Sequence, residues 1–110
     1  AVPIVEKAGA PAVAPSLEAV IDGSYQPLSR PIFIYVSTKA MERPEVRKFV
    51  EFYLTHGEKL AKEVKFVPLP SKAYAMNKEH LAKKKLGTVF GGVAEVGVKI
   101  DELMSREAKM

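Results

Sequence analysis

Cysteine is missing from the 110 residues, which excludes disulfide staples and thiolate metal sites. Long apolar runs are missing too: no stretch approaches the ~18 consecutive apolar residues of a membrane span, and no basic segment leads into an apolar one as in a signal peptide. Histidine is scarce, with His56 and His80 the only two. That scarcity, together with the lack of a G-x-S-x-G elbow, leaves no nucleophile held against a base, so the chain is not read as an enzyme. There is no H-E-x-x-H or paired C-x-x-C spacing, and zinc requires three or four convergent ligands, so neither a metal nor another cofactor is expected. Ala1 stands where a methionine would open a chain, directly before the strand-like Val2–Val5. This reads as a processed or truncated product.

What is present is a basic but uneven charge. The formal net charge is +4; Lys7 and Arg30 against Glu6, Glu18 and Asp22 leave residues 1–36 at −1 and the remainder at +5. A basic chain can meet polyanions, yet the positive charges are interleaved with Glu and Asp, and no aromatic side chains stand among them as stacking platforms. No nucleic-acid partner is expected. The densest positive run, Lys83–Lys85 near Lys78, sits where a helix C-terminus attracts cations, and a solvated helix end outweighs a docking site there. It supports one rival reading, a small autonomous basic module that binds an acidic protein or polyanion.

The most informative stretch is DGSYQPLSRPIFIYV, residues 22–36. Asp22, Gly23 and Ser24 supply turn chemistry, while Pro27 and Pro31 fix φ near −65° and withhold two backbone donors. Ile32, Phe33, Ile34, Tyr35 and Val36 then show no polar alternation, which predicts a strand covered on both faces within a helix-flanked sheet. Ahead of it, Ser16 is placed to cap a short helix over Leu17–Ile21, with Gly23 ending it in the left-handed region. Pro44 opens a longer helix. In it Val46, Phe49, Val50 and Tyr53 form an apolar stripe opposite Arg47, Lys48, Glu51 and Thr55. Phe52 lies about 120° from the centre of that stripe and calls for a second covering surface. Gly57 is expected to break or bend this helix, and Lys65–Pro68 to form a short strand. Ser71 is expected to cap a third helix that Gly87 stops. Residues 88–92 and 96–100 look extended, and Ile100, Leu103 and Met104 begin a terminal helix. Strand, helix, helix, strand predicts α/β architecture.

The glycines of GTVFGG lack the lysine and hydroxyl of a phosphate loop. Ser29 and Arg30 are the candidate phosphate ligands, since arginine clamps phosphate bidentately and serine can donate to it. One pair falls short of the many donors a desolvated anion needs, and anchoring the strand entrance is the stronger reading.

The crossover at residues 22–36, RPEVRKFVEFYLTHG, KFVPLP, GTVFGG with EVGVKIDELMSRE, and AVPIV together resemble the C-terminal part of periplasmic phosphate-binding proteins, the substrate-binding components of phosphate ABC transporters. The resemblance spans essentially the whole chain. It implies part of a two-lobed type II binding-protein fold with a mixed sheet flanked by helices. Residues 1–22 would end the second lobe, 23–36 would form the hinge crossover and strand, and 37–110 would belong to the first lobe. It also implies a periplasmic or extracytoplasmic setting, inorganic phosphate as the ligand of the full-length parent, and an ABC-transporter permease as its partner. The family's phosphate ligands are supplied mainly by earlier sequence, and Ser29 and Arg30 match its crossover motif rather than its ligand motifs. No phosphate-binding residue is therefore expected in these 110. Without its covering half, the chain is expected to self-associate or exchange strands.

Overall fold

The computed structural model describes residues 1–110 and is helical. Helix α1 spans Leu17–Ile21 and a 3₁₀ turn spans Ala40–Glu42; α2 covers Pro44–Glu63, α3 Ser71–Ala82 and α4 Ile100–Lys109. Two units divide the chain, one of residues 1–31 with 86–110 and the other of residues 32–85. No helix is long and apolar enough to cross a membrane.

The expected mixed sheet is not there. Its nearest equivalent is a single antiparallel bridge between Ile4 and Val13, closed by Ile4 N–H to Val13 C=O at 2.9 Å and the reciprocal bond at 2.8 Å. A strand persists only where its backbone groups pair with a neighbour, and the segments that might have supplied neighbours go elsewhere. Lys65, first residue of the expected second strand, has φ 64° and turns the chain. Gly91, Gly92 and Gly97, with φ of 57°, 84° and 79°, turn it again where extension was expected. Residues 32–36 are thus left as irregular chain, with Ile32 69% and Tyr35 78% exposed.

In the first unit, Ser16 caps α1 as the sequence predicts, its Oγ accepting from the Ala19 amide at 3.0 Å. Gly23 follows the helix with φ 78°, a conformation glycine adopts without a Cβ penalty. Ala19 is buried on α1 and Leu103 on α4.

In the second unit, Pro44 at the first turn starts α2, which runs unbroken through Gly57. A close approach leaves no room for a side chain there: a Cβ at position 57 would stand 2.9 Å from Cε1 of Tyr74 on α3. Gly57 is therefore a notch for an aromatic ring rather than a helix break. The notch also rotates the buried face. Val50 and Leu54 are 4% and 8% exposed, whereas Phe49 is 65% and Tyr53 38% exposed. Of the expected stripe, only Val50 is buried. Phe52 is exposed, as its position on the helix implied.

Helices α2 and α3 end alike. After α2, Lys65 N–H bonds to Lys62 C=O and Phe66 N–H to Ala61 C=O; after α3, Lys84 bonds to Leu81 and Lys85 to His80 in the same pattern. Both are Schellman motifs, with Lys65 (φ 64°) and Lys84 (φ 51°) at the left-handed position usually held by glycine. Hence α3 stops at Ala82, well before Gly87. Ser71 is its first residue rather than its cap, and its hydroxyl donates to Glu58 instead.

Candidate functional site

Ser29 and Arg30 lie in the loop after α1, a segment organised by its own turns. The Ser24 amide donates to the Asp22 carboxylate at 2.8 Å, and hydrogen bonds from Ser24 hold that carboxyl below the usual range, with the Lys99 charge adding to the effect. The Lys99 stem lies over Gly23, 3.4 Å from where a Cβ would stand. Ser29 N–H bonds to Tyr25 C=O at 3.1 Å, and the Ser29 hydroxyl accepts from Gln26 Nε2 at 3.0 Å. Gln26 Oε1 points toward Gly97, 3.5 Å from a Cβ built there, and is buried without a hydrogen-bond partner. Arg30 is exposed.

This arrangement does not suit an oxyanion. The Ser29 hydroxyl accepts from Gln26 and keeps its own proton to donate, but the buried group without a partner beside it is an acceptor, and the Asp22 carboxylate is negative. An anion needs several converging donors, and here one hydroxyl and an exposed guanidinium are all that Ser29 and Arg30 offer. The first turn of α4 carries Asp101 and Glu102, which occupy the positive end of its dipole.

The other polar clusters serve structure as well. Arg106 joins α4 to the preceding loop by donating to Glu95 at 2.8 Å and to Glu102 at 2.5 Å; those carboxylates raise its pKa, and Arg106 holds that of Glu95 down. Glu58 accepts from Lys62 at 3.0 Å and from the Ser71 hydroxyl at 2.8 Å, and both bonds lower its pKa. Above this corner, burial pushes the Tyr74 phenol up, partly offset by a hydrogen bond from the Leu69 backbone. Within the Lys83–Lys85 run, Lys83 is bonded to Glu79. His56 lies within α2 and packs on Phe52, with ring centroids 4.5 Å apart. No three His, Asp or Glu side chains gather as metal ligands.

The prominent surface is apolar. Along α2, Phe49, Phe52, Tyr53 and Leu60 are 65%, 52%, 38% and 39% exposed. The sequence signal for it was Phe52, which fell outside the expected stripe. The rest was hidden because the location of the buried face depended on the Tyr74 notch.

No family model matches the sequence, and no solved structure matches it. Among curated proteins, it is similar to proteins named SphX and phosphate-binding protein PstS. It is 37% identical over 70 residues to phosphate-binding protein PstS of Staphylococcus haemolyticus, covering 63% of this chain and 22% of that protein. It is 41% identical over 64 residues to PstS of Staphylococcus aureus, covering 57% and 19%. Similarity is higher to two cyanobacterial proteins named SphX. That of Synechococcus elongatus is 49% identical over 96 residues, 87% of this chain and 28% of the relative; that of Synechocystis is 46% identical over 97 residues, 87% and 29%. The chain spans less than a third of the length of these relatives.

Proposed function

We propose that these residues are the C-terminal share of a phosphate-binding protein that captures inorganic phosphate outside the cytoplasm and delivers it to an ABC-transporter permease. The observation carrying this reading is the similarity to proteins several times its length, two named SphX over 87% of the chain and two named phosphate-binding protein PstS over 63% and 57% of it. In this proposal residues 1–22 end one lobe, 23–36 cross the hinge, and 37–110 complete the other lobe. Anion capture works by differential stabilisation: phosphate binds the closed arrangement more tightly, shifts the population toward it, and thereby presents a closed surface to the transporter.

Within that protein these residues support closure and scaffolding, and the anion's ligands lie elsewhere. The small number of donors at Ser29 and Arg30, one hydroxyl and one exposed guanidinium, supports this division of labour. The rival basic module gains little from the structure, since Lys83 is engaged by Glu79. Isothermal titration of the 110-residue chain with inorganic phosphate tests the proposal. The expected result is no saturable heat at micromolar phosphate, whereas micromolar affinity in this chain alone would place the ligands here and overturn it.

A further inference from the structure

Asp22 and Gly23 form a pair whose chemistry is internal to the chain. An aspartyl side chain can close on the backbone nitrogen of the next residue. That nitrogen attacks the carboxyl carbon, the carboxyl hydroxyl and the amide proton leave as water, and a five-membered succinimide forms. Water then adds back at either carbonyl, giving aspartate or isoaspartate, in which the backbone runs through the side-chain carbons. Glycine shields its nitrogen least, since it has no Cβ. Asp22, Asp101 and Asn77 are the residues able to form such a ring, and only Asp22 is followed by glycine. Asp101 precedes Glu102 within α4, and Asn77 precedes Lys78 within α3.

The fold holds this pair away from closure. The ring is nearly planar, so the Asp22 Cβ must eclipse the Gly23 nitrogen before the bond can form. Asp22 instead has φ −77° and ψ −8°, which eclipses its own nitrogen with that of Gly23 and leaves Cβ far out of the plane. Rotation about ψ is restrained from both sides. Upstream, the Asp22 amide donates to the Glu18 carbonyl at 2.8 Å, at the end of a helix capped by Ser16. Downstream, the Ser24 amide donates to Asp22 Oδ1 at 2.8 Å and the Tyr25 amide to the Ala19 carbonyl at 2.9 Å, while the Lys99 stem lies over Gly23. The bonds from Ser24 also hold the carboxyl below its usual range, so at neutral pH it stands ionised, the form that gives up an oxygen least readily.

We propose that Asp22–Gly23 is an isoaspartate-forming site, inert while α1 is folded and reactive once that helix opens. The reaction draws only on these two residues and water, so it requires no partner. Its product does not refit. Isoaspartate lengthens the backbone at the turn that closes α1, which moves the carboxylate off the Ser24 amide and Gly23 out from under Lys99. Short helices open locally far more often than a whole chain unfolds. Each opening of α1 therefore exposes the pair to a covalent change that the folded state then cannot reverse.

The test is to age the 110-residue chain at neutral pH, in buffer and in urea, and to map isoaspartate by peptide mass spectrometry with electron-transfer fragmentation. Isoaspartate is expected at Asp22 several-fold faster in urea than in buffer, with Asp101 and Asn77 trailing it. Ser16→Ala, which removes the α1 cap, should raise the rate in buffer about fivefold, the population change that losing such a cap brings, and leave the rate in urea unchanged. That split separates protection by the fold from the reactivity of the dipeptide itself. The purified isoaspartyl chain should melt at a lower temperature than the parent. Equal rates in buffer and urea, or a Ser16→Ala rate in buffer no higher than the parent's, would overturn the proposal. So would an isoaspartyl chain as stable as the parent, or faster accumulation at Asp101 or Asn77 in urea.

Discussion

The ring of Tyr74 occupies the space into which any side chain at Gly57 would project, with its Cε1 2.9 Å from the position of the missing Cβ. The two residues join α2 to α3 and fix which side of α2 is buried. Replacing Gly57 by alanine sets two effects against each other. Helix propensity favours alanine by about 1 kcal/mol in a helix interior, whereas overpacking a close contact costs about 1–3 kcal/mol. The contact is with a ring held between two helices, so overpacking wins. Gly57→Ala is expected to destabilise the chain by about 1 kcal/mol in urea unfolding. In a Tyr74→Leu background the same change should become neutral or stabilising; if it destabilises equally there, the notch is not the cause.

The lysines that close α2 and α3 lead to a prediction of opposite sign. Lys65 and Lys84 both hold positive φ, a conformation that costs a residue with a Cβ about 1–2 kcal/mol. Glycine removes that strain but gives back roughly 0.4–1 kcal/mol through the greater freedom of the unfolded chain. Lys65→Gly and Lys84→Gly should therefore each stabilise by about 0.5–1 kcal/mol. The sites close separate helices, so the effects should add. Thermal unfolding of the two single variants and the double variant checks this, and a drop in Tm for either single variant would refute it.

Alkaline pH should act through Tyr74. Burial raises its pKa above the ordinary phenol value, so the folded chain holds the proton after the unfolded chain has lost it. The associated stability is complete below ~10, the unfolded value, and declines as pH rises from there through the folded pKa. Urea midpoints measured from neutral pH upward should fall above that point in the parent and fall less steeply in Tyr74→Phe, which keeps the ring against Gly57. Tyrosinate absorbance should show one of the four tyrosines titrating late. If Tyr74→Phe removes no late titration, the phenol is not the buried group.

The helix start signals were legible because they are local. Ser16 capped α1 and Pro44 opened α2 where the sequence placed them, since a hydroxyl oxygen within reach of an amide, or a fixed φ, needs no distant partner. Helix stops were less legible, because lysine rather than glycine took the left-handed position after α2 and α3. At the candidate site, the sequence identified Ser29 and Arg30 as weak ligands, and the structure set Ser29 against Gln26. The orphan acceptor on Gln26, lying against Gly97 some seventy residues away, carried no sequence signal.

The sequence by itself determined where helices begin, where the charge resides, and the relationship to SphX and PstS proteins, all of which depend on residue order alone. Tertiary structure decided which apolar segments found partners. An uninterrupted apolar run such as Ile32–Val36 states that covering is needed but not that a neighbouring strand will be present, and backbone pairing is a property of two segments rather than one. In the same way the burial of α2 was set by a ring on another helix, and the aromatic face that this rotation left open exists only because Tyr74 found the one position on α2 without a side chain.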